Sequence, residues 1–181
     1  QRKKNAPPEI IQILVKEIFT KFKNEKLIFI KPLHYKTYPH RISKLTSIKK
    51  LFLDTSGISF RLAYLDLYKL FPKNSLIISN GDESNIIEIN IHLNKIKKKI
   101  KKLYFLDFNL LIKKHKLFEK YKKKIFITNN QIKNTLKIKN IISHDAQNDV
   151  NILIKCIKKI SIKKKEIFKY RNFFKTYYLY F

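Results

Sequence analysis

The chain reads as an α+β fold, a small mixed sheet with packed amphipathic helices, basic extensions and an aromatic C-terminal tail. Three observations predict it. Helical apolar spacing occurs near both ends, at 10–22 and 150–160. Short β-rich runs lie between them, at 27–31, 48–55, 75–79 and 85–91. Hydrophobic residues make up 44% of 181 residues, which suits one core-forming domain over 1–169 followed by a tail at 170–181.

The elements follow in order. After the basic lead QRKKNAPP, Pro8 suits a first helical turn and Glu9 a helix N-terminus. Ile11, Leu14, Val15, Ile18, Phe19 and Phe22 then predict a helix over 10–22. LIFIK at 27–31, stopped by Pro32, predicts a strand. Residues 32–50 read as a loop in which His34, Tyr35, Lys36, Tyr38, His40 and Arg41 interleave cations and rings. That mixture suits phosphate and base contact as well as it suits a solvated connector.

A strand is expected over 48–55, broken by Ser56 and Gly57. Leu62, Leu65, Leu67, Tyr68, Leu70 and Phe71 support a helix ending before Pro72. A strand at 75–79, the turn Asn80-Gly81 and a strand at 85–91 then read as a hairpin. This order, with KKLFLDTSGIS and LFPKNSLII, resembles the thioredoxin-like domain shared by some mitochondrial ribosomal proteins and a small respiratory complex I subunit. The resemblance covers 48–91, about a quarter of the chain, and carries no functional residue.

Residues 95–124 hold thirteen lysines in thirty residues, opposed only by Asp107 and Glu119. A helix is expected at 95–102. The block 103–112 is core, as a buried helix or a strand, and 113–124 is helical or looped. A short strand at 125–128 and a polar connector at 129–140 follow. Ser143 or Asp145 caps a last helix whose stripe is Val150, Leu153, Ile154, Ile157 and Ile160. The tail has seven aromatics in twelve residues, too apolar to stay free in water; it packs on its own domain or docks into a neighbouring protein or RNA.

Charge bounds the function. Lys and Arg total 41 against 13 Asp and Glu, a formal net charge of +28. Such an imbalance repels itself unless a polyanion neutralises it. Part of it is mutational: 37 Lys, 30 Ile and 15 Asn beside 2 Gly, 3 Ala and 4 Arg reflect AT-rich coding. AT bias does not explain the scarcity of acids. Lysine is a flexible point charge, so recognition of folded RNA by shape and backbone is the expected mode. The candidate RNA-binding residues are Lys36, Arg41, Lys97, Lys98, Lys101, Lys102, Lys113, Lys114, Lys122, Lys123, Lys124, Lys163 and Lys164.

No catalytic residue, cofactor or metal site is expected. Gly57 and Gly81 are the only glycines, so there is no phosphate loop. His34 and His40 have no third ligand. His144, Asp145 and Asp149 lie at a helix start, where capping explains them better than acid–base chemistry. Cys156, the single cysteine, forms no internal disulfide and sits on an apolar face. No run suits a transmembrane segment, and no small-molecule substrate is implied.

In character the chain resembles organellar ribosomal proteins of AT-rich protists: small, very basic, with an α+β core and an aromatic tail. That resemblance implies a structural constituent of a mitochondrial ribosome, or of a relict plastid's. Its partners would be ribosomal RNA and, through the tail, neighbouring ribosomal proteins. The competing readings are an RNA-processing or RNA-modifying accessory factor, an accessory subunit of a mitochondrial membrane complex, and a toxin or mobile-element protein.

Overall fold

The structure is a computed structural model that describes residues 10, 12–19, 24–33, 46–80, 83–96, 99–139 and 145–180. The fold is α+β, with two small sheets. Strands β1 (Gln12–Lys16) and β2 (Glu25–Phe29) form an antiparallel pair. Strands β3 (Leu76–Ser79), β4 (Lys99–Asp107) and β5 (Lys175–Tyr180) form a mixed sheet in that order, β3 parallel and β5 antiparallel to β4.

The mixed sheet separates two cores. Along β3 and β4, Leu76, Ile78 and Leu106 face one cluster, while Ile77, Leu103 and Phe105 face the other. Alternate side chains of a strand point to opposite faces, so both faces of the sheet are covered. On one side lie Ile28 and Ile30 of the β1–β2 sheet, Phe60, Ala63, Tyr64 and Leu67 of helix α2, and Ile91. On the other lie Phe108, Leu111, Phe118, Ile132, Ile152 and Cys156.

Helix α1 (Lys50–Ser56) precedes α2 (Phe60–Leu70), and α3 (Glu83–Leu93) connects β3 to its parallel neighbour β4. Helix α4 (Phe108–Ile112) starts directly where β4 ends, its N-terminus capped by the Asp107 carboxylate, which accepts from the Asn109 N–H at 2.9 Å. A 3-10 helix (Lys116–Tyr121), α5 (Asn129–Leu136), α6 (Ala146–Lys159), α7 (Lys164–Ile167) and a second 3-10 helix (Phe168–Phe173) complete the second layer.

Several expectations hold. The helix ending before Pro72 is α2, with Ser59 at its cap, and the strand at 75–79 is β3. The strand at 27–31 lies within β2 and the Ile30–Ile58 bridge that extends it. Asp145 caps α6, accepting from the Asn148 N–H at 2.8 Å. Its stripe is rotated from the expected one: Ile152, Cys156, Ile157 and Ile160 are buried, while Val150, Leu153 and Ile154 are half-buried. The block 103–112 is core, first as strand and then as helix.

Other expectations are corrected. The helix expected over 10–22 is not formed among the described residues of that range; 12–16 are β1. The run is rich in β-branched residues, and β2 offers a cross-strand partner at each position from Gln12 to Lys16. Lys16 and Glu25, opposite each other, make an ion pair of 2.5 Å. The strand expected at 48–55 is α1, where Lys50 and Asp54 pair one turn apart and only Leu53 is buried. Gly57 then lets the chain pass against Ile30 and Lys31, and the Ile58 N–H donates to the Phe29 carbonyl at 3.0 Å.

The hairpin expected at 75–91 is not formed. Residues 85–91 lie in α3, because Ile87 and Ile91 fit a helical stripe as well as they fit alternation. The order over 48–91 is therefore helix, helix, strand, helix. The helix expected at 95–102 gives way to β4 from Lys99. Lys95 takes a left-handed φ of 54°, and the Ile96 N–H donates to the Ile91 carbonyl, which closes α3. A helix here would also set Lys97 against Lys101 and Lys98 against Lys102. Residues 125–128 are not a strand, and the connector at 129–140 contains α5.

Candidate nucleic-acid interface

The lysine-rich stretch is ordered by a few buried anchors. Phe108, Leu111 and Ile112 fix α4 in the core, so Lys113 and Lys114 emerge at its end. The next 3-10 helix has three residues per turn. His115, Phe118 and Tyr121 therefore share one inward face, with Phe118 fully buried. Lys116, Lys120, Lys122, Lys123 and Lys124 are left exposed. The Lys113 ammonium is spent internally, donating to the Ile125 carbonyl at 2.6 Å and closing the loop.

Tyr121 sits inside this cation cluster. Lys120 and Lys124 lie 5.0 and 5.5 Å from its ring centre, and the Thr135 hydroxyl donates to its oxygen at 3.5 Å. That hydrogen bond, helped by the two ammoniums, holds the phenol below its ordinary pKa. Lys114 reaches in the other direction, 5.0 Å from the ring centre of Tyr170. Tyr170 is half-buried against the second core, and burial raises its pKa, with the Glu166 carboxylate adding to the effect.

The Lys114–Tyr170 contact joins two basic segments. It sets the end of α4 against Tyr170, in the segment that also carries Lys163, Lys164, Lys165, Lys169 and Arg171, all exposed. Acids are sparse here. Glu119 is exposed, and Glu166 accepts from the Lys163 N–H at 2.8 Å. Among the described residues no carboxylate ion-pairs with Lys114, Lys122, Lys123 or Lys124; Lys16, Lys26 and Lys50 pair elsewhere.

Of the sequence-predicted residues, Lys114 makes the contact that links the two segments of this basic corner; Lys122, Lys123 and Lys124 follow it along one segment, Lys163 and Lys164 lie on the other, and Lys113 is an internal brace of the first. Lys101 and Lys102 lie toward the start of β4; the Lys102 ammonium is 5.0 Å from the Tyr104 ring centre, and that ring is 6.2 Å from Phe174. Lys36, Arg41, Lys97 and Lys98 lie outside the described residues, as does His144. Tyr121 is not among the sequence-predicted residues, its only signal being its place beside a lysine run, whereas Tyr170 and Arg171 open the aromatic tail at 170–181.

Behind the corner, Asn109 is fully buried and fully bonded. Its Oδ1 accepts from the Ile127 N–H at 2.7 Å, and its amide donates to Asn80 Oδ1 at 2.7 Å and Asp107 Oδ1 at 3.2 Å. Asn80 in turn donates to Asn129 Oδ1 at 2.8 Å. This network ties the ends of β3 and β4 to the start of α5 and fixes the basic loop between them.

Among the described residues, no three His, Cys, Asp or Glu side chains converge on a point that could hold a metal ion, and no helix is long and apolar enough to cross a membrane. No protein-family model matches the chain, and no curated protein matches it.

Proposed function

We propose that this chain is a structural, RNA-binding constituent of an organellar ribosome, mitochondrial or of a relict plastid, and that it holds rRNA phosphates without doing chemistry on them. The observation that carries the reading is the corner formed by 113–124 and 163–171. Its lysines stand on a packed core, and among the described residues no carboxylate ion-pairs with Lys114, Lys122, Lys123 or Lys124. Holding like charges together this way is unfavourable unless a polyanion binds there. An ordered set of ammoniums releases condensed counterions when it meets phosphates, giving tight and salt-sensitive binding.

AT-biased composition and the +28 charge of a small chain support an organellar ribonucleoprotein setting. The C-terminal segment, as edge strand β5, would offer its outer backbone edge to a neighbouring ribosomal protein. The test is the chain's state in its own cell lysate. It should co-sediment with a large particle in moderate salt and be released by RNase but not by detergent. Migration as a free monomer, or release by detergent alone, would contradict the proposal.

A further inference from the structure

The second 3-10 helix, Phe168–Phe173, carries aromatic rings outward where a chain this apolar would normally bury them. Its three-residue period aligns Ile167, Tyr170 and Phe173 on one edge. Burial falls along that edge: Ile167 is buried, Tyr170 half-buried, and Phe173 is 56% exposed. The Tyr170 and Phe173 rings lie 6.4 Å apart at 51°. The adjacent edge pairs Phe168, 51% exposed, with the exposed Arg171. Phe174, by contrast, turns inward to Tyr104, at 6.2 Å. The outward rings are thus not a failure of packing space for the segment as a whole.

Cations surround these rings: Lys114 over Tyr170, and the exposed Lys165, Lys169 and Arg171 close by in sequence. An apolar protein partner would have to desolvate those charges. A nucleic acid satisfies both features, since phosphates meet the cations and base faces stack on the rings. Bases stacked within a duplex are not free to do this, so the occupant must be unpaired.

We propose that Phe168, Tyr170, Arg171 and Phe173, with Lys114, form a stacking platform for unpaired RNA bases. It is the site within the basic corner that distinguishes single strands from helices, and it rests on the RNA-binding reading above.

The chain has no tryptophan, so Phe173→Trp places a sole indole on the platform. Titration with an unstructured pyrimidine oligoribonucleotide should quench its emission over the range in which anisotropy of the labelled strand shows binding. A blunt duplex of matched length should bind with little quenching. Phe173→Ala should weaken single-strand binding about tenfold and leave duplex binding unchanged, with Phe173→Tyr restoring it. Single-strand binding by anisotropy with no quenching, and equal affinity for Phe173→Ala, would overturn the platform while leaving RNA binding intact. No binding of either RNA would overturn both.

Discussion

The Lys114 ammonium sits 5.0 Å from the centre of the Tyr170 ring, and through that contact two lysine-rich segments remote in sequence share one surface. Tyr170 is fixed by packing against the α4–α6 core, so Lys114 is held by a ring and not by a carboxylate. A cation held by a ring keeps its full positive charge, which an ion pair would cancel.

The Asn109 network holds the frame of this surface. Asn109→Leu removes the acceptor for the buried Ile127 N–H and the donor for Asn80. We expect a loss of about 3 kcal/mol in urea unfolding. The basic loop should also become the first segment cut by trypsin.

Gly57 is required for close approach and not for its φ. A Cβ there would meet the Leu53 carbonyl and stand 3.0 Å from the Lys31 nitrogen, both backbone atoms that cannot swing aside. Gly57→Ala should therefore destabilise by about 1–3 kcal/mol, against the small gain an alanine gives where it fits. Thermal unfolding of the variant measures this.

Cys156 is fully buried, and burial pushes its thiol from 9.0 up to about 12. It should resist alkylation in the native state. The folded state holds this proton more tightly than the unfolded one. Its contribution is complete below pH 9 and is lost as pH rises toward 12. The stability difference between wild type and Cys156→Ala should accordingly narrow across that window, and stay constant below it.

Lys122, Lys123 and Lys124 are exposed and have no carboxylate partner among the described residues. Replacing all three by Gln should raise the melting temperature by about 2–3 °C at low salt, by relieving like-charge repulsion. The gain should vanish near 1 M salt, where the Debye length is about 3 Å.

How much was legible in the sequence follows from these residues. Helix α2, β3, the Asp145 cap and the buried block at 103–112 were readable because one period or one cap dominated each. Segments failed where two periods fitted equally, as with Ile87, Ile89 and Ile91. In 12–16 the β-branched character and the β2 partner outweighed a helical spacing. Strand β4 is covered on both faces, so Leu103 to Leu106 is a continuous apolar run without alternation. Helix α5 was missed although Thr128 and Gln131 form a capping box, a signature visible in the sequence. The lysines of the corner were legible as charge. The link between their two segments was not, since it runs through a ring on a distant 3-10 helix.

The central claim is that the corner binds RNA phosphates, and the salt dependence of affinity tests it most directly. Binding of a labelled RNA hairpin with an unpaired loop should be followed across salt concentration for wild type and for a variant with Lys114, Lys122, Lys123, Lys124, Lys163 and Lys164 replaced by Gln. The slope of log affinity against log salt should fall in magnitude by about 4 to 5, near one phosphate contact per lysine. A slope unchanged from wild type would show that RNA does not bind this corner.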